Sequence, residues 1–215
     1  MQQTERVSKY WDNEATAFDA LYGLGEKPST LNRLIRRGMF ERVELTLRAL
    51  KGMKVSSVLD VGSGSGRNSA DFIEYAGVSR VVGVDFSPQM VALAKAHCEE
   101  RGYASHTDFH LGDVLDVEFS EQFEAVVALG VFDYVEEAEP FLARLRSLSS
   151  GVVMASFPGY SFPRSPLRKM RYAARGCPIR FYGVDEVRQI GLDAGFSKVE
   201  VTPFSSAGRF LIAHI

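Results

Sequence analysis

The sequence predicts an α/β protein: a doubly wound, mostly parallel seven-stranded sheet with one antiparallel strand near its edge and a helical, partly irregular cap. Three observations predict it. Between residues 55 and 157, short apolar runs alternate with helical patterns, the texture of a parallel sheet covered on both faces. Three glycines on alternate positions, Gly62, Gly64 and Gly66, directly follow the first of those runs. The last two apolar runs, "KVEVTPF" and "RFLIAHI", are separated only by "SSAG", which permits a hairpin and forbids a parallel crossover.

The elements follow in order. Residues 5–22 carry Trp11, Ala15, Phe18 and Tyr22 on one helical face. After the turn-rich "GLGEKPST", a second helical pattern places Leu31, Leu34, Ile35, Met39, Val43, Leu47 and Leu50 together, and Gly52 stops it. Residues 1–52 thus read as an N-terminal helical cap and 53–215 as the core. "VSSVLDV" is the first strand, "SGRNSADFIEYAG" a helix, "RVVGVD" the second strand and "SPQMVALAKAHCEERG" a helix. "HTDFHLGD" and "FEAVVALG" are the third and fourth strands, "AEPFLARLRSL" a helix and "GVVMASF" the fifth strand. Residues 158–182, rich in proline, arginine and aromatics, read as a cap insertion after that strand, ahead of the helix "DEVRQIGLDAGF".

Composition narrows the function classes. A chain of 215 residues suffices for one well-buried domain, and 46% hydrophobic with 24% charged residues is ordinary for a globular protein. A formal charge of −2 argues against a surface built for nucleic acid. The opening residues lack the apolar core of a signal peptide and no stretch is long enough to span a membrane, so a cytoplasmic location without membrane contact is expected. Cys98 and Cys177 are the only cysteines, and no Cys/His cluster has zinc spacing, so no metal is expected.

In an open α/β sheet, ligands bind at the carboxyl ends of the strands. The first strand ends at Gly62, Ser63 and Gly64, the second at Asp85, the third at Asp113, and the fourth at Leu129 and Gly130. A dinucleotide fingerprint needs G-x-G-x-x-G, whereas here Arg67 occupies the slot of the third glycine. Taken singly, each residue has a plainer reading. Gly62 and Gly64 can make a tight turn, Gly66 can allow helix packing, Asp85 can cap a helix, and Asp113 can form a turn beside Gly112. Their joint placement at successive strand ends points to a ligand.

"VLDVGSGSGRN", "VVGVDFSPQMVALA", "GDVLD" and "FEAVVALGVFDYVEE" in this order resemble the class I S-adenosylmethionine-dependent methyltransferases, over roughly residues 55–155. The resemblance implies the Rossmann-like fold of that family, S-adenosyl-L-methionine as cofactor, and methyl transfer to a small molecule, with O-methylation ahead of N- or C-methylation. It implies that Asp60, Gly62, Ser63 and Gly64 face the methionine moiety. Asp85 would take the ribose hydroxyls, Phe86 would lie beside the adenine, and Asp113 would accept from the adenine amino group with Val114 alongside. Leu129 and Gly130 would border the sulfonium.

For the acceptor the residues say less. Relatives that modify quinone precursors often carry a Glu-His pair after the fourth strand, where this chain has Asp133 and Tyr134. These two are the candidate catalytic residues, with pocket lining by Tyr134 and turn capping by Asp133 as the plainer readings. The Asn/Asp-Pro-Pro-aromatic motif of amino methylation on nucleic acids is absent, and Cys177 stands in "CP" rather than Pro-Cys, so no nucleic-acid partner is expected. Arg164, Arg168, Lys169, Arg171 and Arg175, interleaved with Tyr160, Phe162, Tyr172, Phe181 and Tyr182, form either a solvated face or a cap that clamps an anionic acceptor. The expected state is a monomer or homodimer. Competing classes are a catalytically silent cofactor-binding regulator and a nicotinamide-dependent enzyme, the latter opposed by Arg67.

Overall fold

The computed structural model describes residues 30–161, 165–166, 180–204 and 208–215. The helical face expected over residues 5–22 and the arginines of the insertion lie outside the described residues.

The chain enters through α1 (Thr30–Met53), which runs on past Gly52. It then alternates β1 (Ser57–Val61), α2 (Arg67–Ala76), β2 (Arg80–Asp85), α3 (Pro88–Glu100), β3 (Thr107–Leu111), β4 (Phe123–Leu129), α4 (Ala138–Ser147) and β5 (Ser149–Pro158). The closing elements are α5 (Val184–Asp193), β6 (Lys198–Phe204) and β7 (Gly208–His214). The sheet has seven strands in the order β3-β2-β1-β4-β5-β7-β6. β7 runs antiparallel to both β5 and β6, so the one reversed strand sits next to the edge, as the short "SSAG" link requires.

Period-two alternation along the strands feeds two cores. Leu59, Val61, Val82, Val84, Val126 and Ala128 point to one face, where Leu142 and Leu145 of α4 and Val187 of α5 cover them. Val58, Val81, Ala125 and Val127 point to the other, under Leu50 of α1 and Phe72 of α2. Strand order reverses at β1: the chain moves outward through β2 and β3, then returns to β4 on the other side of β1. The crevice above that reversal is where such sheets hold ligands.

Helix boundaries place the strand ends. Gly77 closes α2 in the left-handed conformation at φ 76°. Ser87 caps α3, accepting the Met90 N–H at 3.3 Å, with Pro88 in the first turn. Helix capping thus falls to Ser87, which frees Asp85 for another role.

Candidate active site

The glycine turn is held in place by β2. The N–H groups of Gly62 and Ser63 donate to the Val84 carbonyl at 2.8 and 3.2 Å, and the Gly66 N–H donates to the Ser63 carbonyl at 3.0 Å. Two glycines are needed for different reasons. Gly64, at φ +54°, faces open space: a Cβ there would meet nothing within 4 Å, so the backbone itself lines the crevice. Gly66, at φ +73°, lies against α3, where a Cβ would come 2.9 Å from the Ala94 Cα.

Two buried carboxylates lie near the carboxyl ends of β1 and β2. Asp85, 8% exposed, accepts the Gly64 N–H at 2.9 Å through Oδ2 and the Ser87 N–H at 3.0 Å through Oδ1. It therefore couples the glycine loop to the start of α3. Asp60 is buried at the end of β1 and accepts the Ser69 hydroxyl at 2.6 Å. Burial pushes its carboxyl up to about 7, opposed by the Ser69 hydrogen bond and reinforced by the nearby Asp85 charge.

Beyond β3, the Asp113 carboxylate accepts the Leu115 N–H at 3.0 Å while its carbonyl accepts the Asp116 and Val117 N–H groups at 2.9 Å. Asp113 therefore forms the turn that the sequence allowed. Val114 is buried beside it and Phe86 is half-buried at the end of β2. At the end of β4, Leu129 is buried and the Gly130 N–H donates to Ser156 Oγ at 2.8 Å. The loop beyond carries half-buried Asp133 and Tyr134, fixed by the Tyr134 N–H on the Val131 carbonyl at 2.9 Å. Between them and the core, Phe132 stacks on Phe157 at 4.0 Å, and Tyr182 meets Phe157 edge-on at 5.2 Å. Every site residue read from the sequence thus lies at the carboxyl end of β1, β2, β3 or β4.

One charged side chain near the strand ends escaped the sequence reading. Arg42 reaches from α1 to the end of β4, so that a Cβ on Gly130 would sit 2.7 Å from its Nη1. Its Nε is buried without a hydrogen-bond partner. A cation beside the strand ends suits an anionic group in the crevice, but in the sequence it is one more charge on a helix. Two of the histidines bond outside this cluster. His106 Nδ1 meets the Ser79 carbonyl at 3.0 Å and His110 Nε2 meets Asp108 Oδ2 at 3.0 Å.

Residues 58–150 match the family model described as a methyltransferase domain. Residues 58–150 thus carry a methyltransferase domain. A magnesium-protoporphyrin O-methyltransferase of Rhodobacter capsulatus is 34% identical over 134 residues, 60% of this chain and 53% of the relative. A ubiquinone biosynthesis O-methyltransferase of Rhodopseudomonas palustris (strain BisB5) is 30% identical over 109 residues, 51% of this chain and 40% of the relative. The matches thus span between two fifths and about half of these curated relatives' length. Among solved structures, the magnesium protoporphyrin IX methyltransferase of Synechocystis PCC 6803 with bound SAH superposes with a TM-score of 0.76 at 24% identity, covering 97% of each chain. The methyltransferase fold thus extends over α1 and the closing hairpin as well as the matched segment. Among the described residues no helix is long and apolar enough to cross a membrane.

Proposed function

We propose that the chain transfers the methyl group of S-adenosylmethionine to an oxygen of a small-molecule acceptor. The observation that carries the reading is the Asp85 carboxylate, set under the glycine turn at the point where strand order reverses. The O-methyltransferase names of the relatives support oxygen as the acceptor atom and a small molecule as its bearer.

The residues present fit this cofactor. Gly64 leaves the crevice floor free of side chains. On this reading Asp85 would accept the two ribose hydroxyls, with Asp60 and Ser63 under the amino acid tail. Phe86, Asp113 and Val114 would form the adenine side, and Leu129 and Gly130 the sulfonium side. When bound, the cofactor supplies an electrophilic methyl carbon on a sulfonium. The protein's own part is alignment and exclusion of water, since an in-line displacement needs its two reactants held in register. An acceptor already nucleophilic near neutral pH, such as a carboxylate or an acidic phenol, needs no strong base from the loop of Asp133 and Tyr134.

Calorimetry tests the reading: S-adenosylhomocysteine should bind and NAD should not. Incubation with methyl-labelled S-adenosylmethionine and fractionated small metabolites should then label an acceptor. Cofactor binding without transfer to any fraction would favour a silent regulatory module instead.

A further inference from the structure

The turn that carries Asp113 and Val114 buries little of itself. From Leu111 to Phe119 only Val114 is buried, while Leu111 and Leu115 are 56% and 51% exposed. The carbonyls of Val114 and Val117 receive no backbone N–H among the described residues. Both are taken by one side chain: Arg144 of α4 donates from Nε to the Val114 carbonyl at 3.1 Å and from Nη2 to the Val117 carbonyl at 2.7 Å. The helix behind it is rigidly seated, with Phe141, Leu142 and Leu145 buried in the core. No ion pair ties Arg144 elsewhere among the described residues.

We propose that Arg144 is the positioning residue of the nucleobase side of the site: its two-pronged contact sets the loop whose Asp113 and Val114 select adenine. A planar guanidinium presents two N–H groups in a fixed fork, which suits two carbonyls three residues apart. A lysine ammonium cannot reproduce that pairing. The same helix packs Phe141 edge-on against Phe132 at 5.4 Å, in the loop that follows β4. One rigid element therefore spaces the nucleobase loop from the loop that meets the acceptor. This inference rests on the cofactor reading above.

The test uses calorimetry on the full chain with S-adenosylhomocysteine and with S-inosylhomocysteine, which lacks the adenine amino group. Wild type should prefer the adenosyl compound. Arg144→Ala should bind it about tenfold more weakly, the equivalent of one charge-assisted hydrogen bond, and its preference over the inosyl compound should fall to about threefold or less. Arg144→Lys should lie between, and it carries the same test should the alanine variant unfold. Hydrogen exchange without ligand gives an independent readout: the amides of Leu115, Asp116 and Val117 should exchange faster in either variant. Unchanged affinity and unchanged base preference in a wild type that does bind would overturn the role of Arg144 and leave the cofactor reading standing. Failure of wild type to bind S-adenosylhomocysteine would overturn both.

Discussion

The carboxyl ends of β1 and β2 and those of β4 and β5 face the same crevice but are made of different materials. On the first side the site is backbone: positive-φ glycines and N–H groups tied to the Val84 carbonyl and the Asp85 carboxylate. On the second it is packed rings, Phe132 against Phe157 and Phe157 against Tyr182, with Asp133 and Tyr134 half-buried above them. Backbone geometry allows few residue types at each position. A packed aromatic wall accepts many, so the second side can vary while the first stays fixed.

The sharpest way to break this contrast is to add one methyl group to a glycine on each side. Gly66→Ala places Cβ 2.9 Å from α3 backbone at φ +73°, where nothing flexible can yield. Left-handed strain and overpacking together should cost about 2 to 5 kcal/mol. Gly130→Ala also carries a positive φ of +83°, but its Cβ meets the tip of Arg42, a side chain that can swing away. Its stability loss should be about 1 to 2 kcal/mol, the left-handed term alone, with most of its damage in ligand binding. Urea unfolding compares the two directly. Equal losses would mean that the two strand ends are equally rigid.

Asp85→Ala is next in size. It removes the acceptor for two backbone N–H groups and, on the proposed function, for two ribose hydroxyls. With about 1.5 to 3 kcal/mol for each hydrogen bond to a charged group, S-adenosylhomocysteine affinity should fall at least a hundredfold. An affinity within threefold of wild type would remove Asp85 from the ribose assignment.

Legibility in the sequence divides along the same line. The glycines and Asp85 could be read because their chemistry is local: each follows a strand end by a fixed number of residues. The reversed strand could be read because four residues cannot span a parallel crossover. Arg42 and Arg144 could not be read. Arg42 reaches Gly130 only because α1 packs over the end of β4, and Arg144 reaches the Val114 and Val117 carbonyls only because α4 lies beside the turn after β3. Both placements come from tertiary packing that no spacing along the chain encodes. The loop after β4 was legible in position but not in role, since Asp133 and Tyr134 depart from the Glu-His pair of some relatives.

A smaller effect follows from Asp60, whose folded-state carboxyl titrates near 7 rather than at the ordinary 3.8. Between those values the folded chain holds a proton that the unfolded chain releases. Stability contributed by this group therefore falls as pH rises from about 4 to 7 and levels off above. Asp60→Asn, still able to accept from Ser69, should abolish that slope. The variant should gain on wild type by about 1 to 4 kcal/mol between pH 4 and pH 8, measured as the change in unfolding free-energy difference. A difference that stays flat across that range would show that Asp60 is ionised throughout.

The smallest effects are expected at the aromatic end, and they decide whether the second side is a wall or a proton-transfer site. The Tyr134 backbone is fixed by its N–H on the Val131 carbonyl, and its half-buried side chain is an aromatic ring with one hydroxyl. Tyr134→Phe keeps that ring, and Asp133→Asn keeps the volume and most of the hydrogen-bonding capacity of the carboxylate. Where alignment dominates, effective molarities account for as much as about 7 to 11 kcal/mol of the barrier, while a general base adds about 10²- to 10⁴-fold. Each variant should therefore retain turnover within about tenfold of wild type once an acceptor is in hand, with S-adenosylhomocysteine affinity unchanged, well short of the loss expected for a missing base. The pH–rate profile sharpens the comparison. If neither residue transfers a proton, both variants should keep the wild-type profile, because the ionisation that matters is the acceptor's own. A thousandfold loss in either variant, with cofactor affinity intact, would identify that residue as the base and make the β4 end as chemically constrained as the glycine turn.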